Sequence, residues 1–487
     1  MTLSDFDVWY RLRYRRTSSA LTTFSMVLAD VAGILASFGM GFLIVKLYYI
    51  SIDFWGGINA KSFITHWIYI PAFIGLFQFN NLYPGIALAP AEEFRRCFIS
   101  SCIAHGAVLI SKYIYTDTGF DSISMAFVLS FVVSTVIILV CRDITRSILY
   151  RTRLGGIPAI IYGGGTTGRL VIDRLRESRK AGYVPVLILD DDKSVGDSYN
   201  DIPIIHDTSI GGEIVKRYDI KMAIVTPMQN KTEEEWNAMM HYSVASFRYQ
   251  VLIPDFFRST NIWMSVRDFD GVLGFVTNHS LKMPWNLGIK RCMDLSFAII
   301  GGLILMPVFL VTALLIKMTS PGPVLYGHKR LGMNGKYFKA YKFRSMVIDA
   351  DKRLNALLET DPSAKAEWDA QRKIKNDPRV TKLGKFLRRT SLDEFPQLIN
   401  IIKGEMSLIG PRPIVDDEVE KYGEDFGRIF SVRPGLSGLW QVSGRSDKDY
   451  SDRVFFDTYY LQSWSVWLDL WVIYRTFGAV IKGKGAY

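Results

Sequence analysis

Two adjacent carboxylates, Asp393 and Glu394, have arginine on both sides in the sequence. Arg388 precedes them, and Arg412 follows between two prolines. A site that binds a diphosphate, recruits a metal ion and presents a nucleophile needs acid beside clustered arginine. Ser391 and Glu394 also have the spacing of a capping box that would begin an amphipathic helix. Position alone therefore leaves a catalytic and a structural interpretation open.

Pro396 bears on where a helix in this segment begins. With Ser391 as the cap, the proline falls at the fifth helical position and a backbone hydrogen bond is lost. A start at Leu392 or Asp393 places the proline in the first turn, where the N–H groups have no helical partner. Asp393 and Glu394 then lie at a helix N-terminus, where the dipole favours the ionised acid.

The run TSLDEFPQLINIIKGEMSLIGPRP resembles the hallmark of bacterial polyprenyl-phosphate hexose-1-phosphate transferases, the monotopic phosphoglycosyl transferases. The motifs IKRCMDLSF and YKFRSM before it, and VRPGLSGLWQVSGR after it, extend the resemblance over residues 285–487. With YGHKR, GLWQVSGR and a C-terminal Gly-Ala-Tyr, the chain is most similar to the undecaprenyl-phosphate galactose phosphotransferases. The resemblance implies an enzyme that initiates O-antigen, capsule or exopolysaccharide synthesis.

The resemblance also implies a mechanism. Asp393 would attack the β-phosphorus of a UDP-hexose and release UMP, and undecaprenyl phosphate would then accept the phosphosugar. Mg²⁺ held by Asp393 and Glu394 would neutralise the diphosphate. The cations implied as phosphate contacts are Lys342, Arg344, Arg388, Arg412, Arg433 and Arg445.

Which sugar is transferred stays open. No residue in the sequence distinguishes galactose from its C4 epimer, so galactose is expected from the overall resemblance and glucose or another hexose is the alternative. A function of another class is a membrane scaffold for polysaccharide assembly with an inactive transferase domain. The intact SLDE and PRP motifs argue against the scaffold.

The composition is that of a membrane protein with anionic partners. Hydrophobic residues make up 49% of the chain and charged residues 22%, so the two kinds must be segregated along it. A net charge of +11 suits phospholipid head groups, polyprenyl phosphate and nucleotide diphosphates. No basic motif of a nucleic-acid module is present. The four cysteines form no CxxC pair, which argues against a disulfide framework and a zinc site.

Four apolar runs, near residues 20–46, 63–83, 97–115 and 124–149, have about the 20 residues that cross a bilayer. Arginines precede the first run, separate the second from the third, and follow the fourth. The other two connections carry little positive charge, so the positive-inside rule places both ends of the bundle in the cytoplasm. The chain is predicted to lie in the bacterial inner membrane with its catalytic domain on the cytoplasmic face.

Alternating strands and helices over residues 156–280 predict a Rossmann-like domain. Gly163-x-Gly165-x-x-Gly168 meets the dinucleotide fingerprint, and Asp190 ends the next strand at about the expected distance. A Rossmann-type domain that serves only assembly or regulation needs the same glycines for its tight strand-to-helix turn. This motif alone therefore does not predict a bound cofactor. The membrane-bound nucleotide-sugar dehydratases share this domain order, but the Tyr-x-x-x-Lys that they require is absent from the segment.

The third predicted domain begins with an apolar run from Leu295 to Ile316. Basic residues at both ends and Pro307 in the middle favour a helix that enters the membrane and returns. The family resemblance implies the same re-entrant helix–break–helix, over about residues 289–318.

Two local patterns predict more of this domain. Asn334-Gly335 marks the tip of a hairpin that would deliver Lys342 and Arg344 at a strand end. Tryptophans at helical spacing near the C-terminus, Trp464 among them, could reflect core packing, but beside a re-entrant helix a helix in the membrane interface explains them better.

These predictions describe an α/β membrane protein with three domains. They are a four-helix transmembrane bundle (1–155), a Rossmann-like α/β domain (156–280), and an α+β phosphoglycosyl transferase domain with the re-entrant helix (281–487). The bundle and the middle domain would offer oligomer contacts, and a homodimer is expected.

Overall fold

A computed structural model gives the structure of the protein. It describes residues 3–14, 19–52, 69–83, 89–116, 121–152, 154–177, 182–228, 231–253, 264–269, 272–277, 280–361, 365, 377–443 and 450–481. The chain forms two compact units, Met1–Ser259 and Thr260–Tyr487. Division into three domains stays a prediction.

The first unit begins with five helices. They are α1 (Leu3–Tyr14), α2 (Ser19–Ile52), α3 (Ile70–Phe79), α4 (Pro90–Thr116) and α5 (Ser122–Arg151). α2, α4 and α5 contain apolar stretches long enough to cross a membrane. The predicted span 63–83 is helical over α3, and residues 63–68 lie outside the described part of the chain.

Buried polar side chains join these helices. Asp30 on α2 accepts two hydrogen bonds from Arg142 on α5, each 2.7 Å long, and Glu93 on α4 accepts a third at 2.8 Å. The ring of His105 lies 3.2 Å from the Ser130 hydroxyl. Ionisable groups are tolerated among apolar helices when they are paired, so these contacts fix the packing of α2, α4 and α5.

The rest of the first unit is a layered α/β fold. Its strands are β1 (Ile157–Tyr162), β2 (Tyr183–Leu189), β3 (Ser198–Tyr199), β4 (Ile202–Ile205), β5 (Met222–Val225) and β6 (Tyr249–Leu252), and its helices are α6 (Thr166–Glu177), α7 (Gly211–Tyr218) and α8 (Glu233–Ala238). The sheet order is β3-β4-β2-β1-β5-β6, parallel except for β3. This is the doubly wound order of a Rossmann-like sheet, and the apolar strands are buried as such sheets require.

The N-terminal helix α1 packs into the core of this sheet. Phe6 is fully buried there, and Tyr10 is nearly so. Both rings make edge contacts with Tyr218 at the end of α7, with centroids 5.1 and 5.3 Å apart. The segment before the first apolar helix and the Rossmann-like fold therefore lie on the same side of the apolar helices.

The second unit mixes short strands with helices. Its strands are β7 (Met264–Phe269), β8 (Val272–Thr277), β9 (Leu325–Leu331), β10 (Tyr337–Phe343), β11 (Ser407–Ile409) and β12 (Gly435–Ser437). Its helices are α9 (Pro284–Thr319), α10 (Ala350–Thr360), α11 (Lys382–Arg389), α12 (Gln397–Lys403), α13 (Val419–Tyr422), α14 (Asp425–Ile429), α15 (Leu439–Val442), α16 (Tyr450–Ser463) and α17 (Val466–Ile481).

The apolar helix α9 has 36 residues and is long enough to cross a membrane. Its backbone stays helical through Met306 and Pro307, so the predicted break is not found as a non-helical segment. A proline removes one hydrogen bond and crowds the preceding turn, which a helix accommodates without ending. Little of the surface of α9 is covered by the rest of the chain, as expected for a helix that contacts lipid.

The hairpin β9–β10 packs in the core of the second unit. Asn334 and Gly335 at its tip have positive φ angles of 55° and 71°, which confirms the predicted Asn-Gly turn. Phe338 and Ala340 on β10 are buried against Ala298 of α9, together with residues of α12. Hydrophobic packing therefore holds the hairpin between the membrane helix and the helix that follows the two carboxylates.

Candidate active site

Asp393 and Glu394 lie in a 3₁₀ turn, Leu392–Glu394, between helices α11 and α12. Ser391 turns the chain with a left-handed φ of 55°, and its side chain makes no capping hydrogen bond. The capping box is therefore not formed, and the predicted start at Leu392 holds for the 3₁₀ turn but is wrong for the α-helix, because α12 begins only after Pro396. The missing proline N–H and the strained Ser391 favour a tight turn instead of an early helix start.

The environment separates the pKa values of the two acids. Burial raises the pKa of Asp393, whose side chain is almost fully enclosed, although Lys342 opposes the effect. Burial would raise the pKa of Glu394 too, but Lys342 and Arg412 hold it below its ordinary value. Paired acids with pKa values pushed apart are typical of catalytic sites. The sequence predicted that a helix dipole would keep Asp393 ionised. Burial acts in the opposite direction, because it raises the pKa of Asp393 and favours the protonated acid.

Three of the predicted cations converge on these carboxylates. Lys342 on β10 places Nζ 2.5 Å from Glu394 Oε1. Arg388 in the last turn of α11 donates from Nε to the Ser345 hydroxyl at 3.0 Å and lowers the pKa of Asp393. Arg412 follows β11, is exposed, and lowers the pKa of Glu394.

Two other predicted cations bind backbone carbonyls at helix ends. Arg344 donates to Ser320 and Pro321 after α9, at 2.7 and 2.8 Å. Arg433 donates from Nε to the carbonyl of Gly404, which terminates α12, at 2.8 Å. α12 has seven residues and is thus about 10 Å long, so Arg433 lies at the end opposite the two acids. Arg445 lies outside the described residues.

A buried ionic cluster that the sequence analysis missed supports the strand before Arg412. Lys290 on α9 lies 2.8 Å from both Asp294 Oδ1 and Asp469 Oδ2. Asp294 accepts hydrogen bonds from the Ser407 hydroxyl at 2.7 Å and from the next backbone N–H at 3.1 Å, so the cluster fixes β11. The i, i+4 spacing of the lysine and aspartate in KRCMD was the available sequence signal.

The same cluster shows that two of the C-terminal aromatic residues pack in the core, which was the alternative explanation for them. Trp464 is 5% exposed and its indole N–H donates to Asp469 at 3.2 Å. The hydroxyl of Tyr460, which is also buried, lies 2.7 Å from the same carboxylate. These two residues belong to the protein core, because their polar atoms have partners there.

The donor set of Asp393 and Glu394 suits Mg²⁺ that is shared with a substrate. Mg²⁺ in phosphoryl-transfer enzymes is usually bound by one or two carboxylates together with phosphate oxygens. No group of three or more His, Cys, Asp or Glu side chains in the described segments could hold a metal ion. The two acids therefore fit a magnesium site that phosphate oxygens of the substrate complete.

Comparison with known proteins agrees with this geometry. Residues 285–483, which include both acids and the hairpin, match the bacterial sugar transferase family. Undecaprenyl-phosphate galactose phosphotransferase of Salmonella typhimurium is 36% identical over 356 residues, 71% of this chain and 72% of that protein. The chain belongs to the bacterial sugar transferase family.

Two further relatives are similar to this sugar transferase, one over most of the chain and one over less than half of it. UDP-glucose:undecaprenyl-phosphate glucose-1-phosphate transferase of Escherichia coli is 32% identical over 340 residues, 67% of this chain and 68% of that protein. The exopolysaccharide production protein ExoY of Rhizobium meliloti is 48% identical over 200 residues, which are 41% of this chain and 88% of ExoY.

Residues 82–240 of the sugar transferase match a CoA-binding domain family, and the carboxylate that ends the second strand of this fold binds backbone N–H groups of its own chain. The Gly164 N–H donates to Asp190 Oδ2 at 2.7 Å, and the Asp192 N–H to Asp190 Oδ1 at 3.0 Å. The carboxylate that would bind a ribose is thus used by the backbone. A Cβ on Gly164 would lie 2.6 Å from Cγ1 of Val195, so this position packs closely against the chain, whereas a Cβ on Gly165 would meet open space. Neither CoA nor a dinucleotide enters the proposed reaction.

Proposed function

We propose that this sugar transferase moves hexose-1-phosphate from a UDP-hexose to undecaprenyl phosphate and releases UMP. The observation that carries the proposal is the pair Asp393 and Glu394, with pKa values shifted in opposite directions, among Lys342, Arg388 and Arg412. Cations in a partly buried site stabilise the charge that develops on transferring phosphoryl groups. The product would begin O-antigen, capsule or exopolysaccharide synthesis.

The reaction is proposed to pass through a covalent intermediate on Asp393. A carboxylate oxygen of Asp393 forms a bond to the β-phosphorus while the bond to the bridging oxygen breaks, and UMP leaves with that electron pair. An oxygen of undecaprenyl phosphate then attacks the same phosphorus, and the Asp393 carboxylate leaves. Lys342 keeps Glu394 anionic and in place, and Arg388 and Arg412 contact the phosphates.

Asp393 and Glu394 are the residues that would hold Mg²⁺. When bound, this ion would neutralise the negative charge of the diphosphate. Direct displacement, with Asp393 acting only as a base on the lipid phosphate, is the alternative mechanism.

The enzyme is proposed to act at the cytoplasmic face of the inner membrane, where nucleotide sugars are available. The basic residues at both ends of α9 and the central Pro307 support a path that enters the bilayer and returns, with a bend at the proline. The homodimer expected from the sequence stays a prediction.

Galactose is the proposed sugar, because the Salmonella relative that aligns over most of both chains carries galactose in its name. Glucose is the alternative, since the Escherichia coli relative is named for glucose.

A single assay tests the proposal. Purified full-length protein is given a panel of UDP-sugars, first without and then with undecaprenyl phosphate; UMP release is followed, and protein quenched before the acceptor is added is examined by mass spectrometry. We expect a single burst of UMP with UDP-galactose and a phosphosugar adduct on Asp393. Asp393→Asn should show neither. Release that requires undecaprenyl phosphate, without an adduct, would support direct displacement. The absence of UMP from every donor and acceptor combination would support the scaffold function.

A further inference from the structure

One face of the β9–β10 hairpin carries a basic residue that the proposed mechanism does not use. Tyr326, His328 and Arg330 alternate along β9, so their side chains lie on the same face of the hairpin. Lys342, which contacts Glu394, is directly opposite Tyr326 on this face. Arg330 therefore shares a surface with a residue of the active site.

The end of β9 is also tied to the loop that contains Arg412. The N–H of Leu331 donates to the carbonyl of Ile414 at 2.9 Å and forms an isolated bridge. This places Arg330 beside Arg412, although the two residues are 82 positions apart in the sequence. Burial, Arg412 and Arg453 lower the pKa of Arg330, whose guanidinium in turn helps to lower the pKa of Glu394.

A third arginine fixes the geometry of this cluster. Arg453 is 5% exposed, and its guanidinium lies over the ring of Tyr450 with the centroid 5.0 Å away. It donates to the carbonyl of Arg412 at 3.4 Å and to Oε1 of Glu418 at 3.1 Å. Oε2 of Glu418 is 4.0 Å from the nearest guanidinium nitrogen of Arg330. One glutamate thus lies between two arginines, with Arg412 beside them.

The positive charges of Arg330 and Arg412 repel each other, and besides burial this repulsion is one cause of the lowered pKa of Arg330. An arginine can bind a phosphate through two parallel hydrogen bonds. The 4.0 Å ion pair of Arg330 with Glu418 is long and partly exposed, and such pairs contribute little to stability. Arg330 is therefore available to bind an anion of higher charge than the Glu418 carboxylate, such as a diphosphate.

We propose that Arg330 is a further phosphate-binding residue of the donor site, which binds the nucleoside diphosphate together with Arg412, and that Glu418 is the counter-ion that it exchanges for substrate. This inference rests on the proposed function and adds to it a second arginine with its counter-ion. Arg453 is a positioning residue, because it holds Glu418 and the backbone of Arg412.

The test compares three single substitutions in the full-length protein in detergent. Arg330→Gln removes the proposed phosphate contact. Lys329→Gln is the matched control, since the adjacent lysine loses the same charge but lies on the opposite face over the ring of Tyr337, 3.7 Å from its centroid. Glu418→Gln removes the counter-ion charge and keeps an oxygen that accepts the Val415 N–H. The dissociation constants of UDP and of uridine are measured by titration calorimetry, with the KM for UDP-galactose where turnover is observed.

We expect Arg330→Gln to raise the dissociation constant of UDP about tenfold or more, as for loss of a charge-assisted hydrogen bond, and to leave that of uridine unchanged. Lys329→Gln should change either constant by less than about twofold, as is usual for an exposed charge. Glu418→Gln should tighten UDP binding, because the competing carboxylate is gone.

The inference is overturned if Arg330→Gln binds UDP as Lys329→Gln does, or if it weakens UDP and uridine equally, as a damaged fold would. It is also overturned if Glu418→Gln weakens UDP. Because UDP binding is measured without turnover, a wild-type protein that binds UDP but never releases UMP would contradict the proposed function and not this inference.

Discussion

The ammonium group of Lys342 lies 2.5 Å from Oε1 of Glu394, although the two residues are 52 positions apart. The hairpin β9–β10 carries the lysine, and the 3₁₀ turn before α12 carries the glutamate. This contact holds the pKa of Glu394 low while burial raises that of Asp393 beside it. The ion pair therefore gives two neighbouring acids different protonation behaviour.

The first prediction concerns this ion pair. Lys342→Gln should lower kcat by about ten- to a hundredfold, the range for loss of a charge-assisted hydrogen bond. Without the lysine the pKa of Glu394 rises, so the acid limb of the pH–rate profile should move to higher pH. Steady-state UMP release between pH 5 and 9 measures both effects. Lys339→Gln, an exposed lysine on the same strand, is the control. An unchanged acid limb would show that Lys342 does not set the charge of Glu394.

The second prediction separates two arginines that the sequence treated alike. Arg412→Gln should raise the KM for the UDP-sugar about tenfold, because Arg412 belongs to the charge cluster around Glu394. Arg433→Gln removes a hydrogen bond to the end of α12, so it should lower the melting temperature and leave KM within about twofold. Thermal unfolding and initial rates on the same preparations measure the two effects. Equal increases in KM would place Arg433 at the phosphates after all.

The third prediction concerns Asp457, a buried acid whose pKa burial raises to about 7 although Arg453 opposes the shift. The hydroxyl of Tyr422 donates to it at 2.9 Å. The pKa of Asp457 is 3.8 in the unfolded chain and about 7 in the folded protein, so the folded protein binds this proton more tightly. The stability that the bound proton contributes is complete below pH 3.8 and is lost as the pH rises through about 7.

Asp457→Asn should therefore gain stability relative to wild type between pH 5 and pH 8. Each kcal/mol corresponds to roughly 2–4 °C of melting temperature for a domain of this size. Melting temperatures at a fixed scan rate across this pH range provide the measurement. A difference between variant and wild type that stays constant with pH would contradict the shift.

The fourth prediction is topological. A re-entrant α9 places both of its ends in the cytoplasm, so cysteines introduced at Trp285 and Tyr326, both exposed, should resist a membrane-impermeant thiol reagent in intact cells. The background lacks the four native cysteines, and a cysteine in the TDTGFDS connection, predicted to face outward, is the labelled control. Labelling of the Tyr326 position from outside would show that α9 spans the membrane.

The fifth prediction is that the first unit is dispensable for chemistry. The proposed phosphate-binding residues all follow residue 281, and ExoY aligns over 200 residues and 88% of its own length, which is about the size of the matched family segment 285–483. Residues 281–487 in detergent or lipid should therefore retain UMP release from a UDP-hexose, with reduced stability. Circular dichroism checks that the truncated protein is folded. A folded but inactive fragment would assign part of the site to residues before 281, in the first unit or in the β7–β8 hairpin.

The local sequence determined the elements whose signals are short-range. The Asn334-Gly335 turn was predictable because few residue pairs accept two positive φ angles. Alternating apolar strands and helices predicted the doubly wound sheet, and long apolar runs predicted the membrane helices. The acids and the cations Lys342, Arg388 and Arg412 could be nominated because motifs of this kind carry phosphate chemistry.

Only the tertiary structure decided which charged residues act together. Arg433 and Arg412 look equivalent in the sequence, but one binds the end of α12 and the other lies in the cluster around Glu394. Arg330 gave a weak sequence signal because its charged neighbours lie about 80 residues away. Asp294 has Lys290 at i, i+4 spacing, but its contact with Ser407, about 110 residues away, was not predictable. Side-chain charge is local, whereas the distances and burial that set a pKa or a phosphate site arise when separate strands and helices pack together.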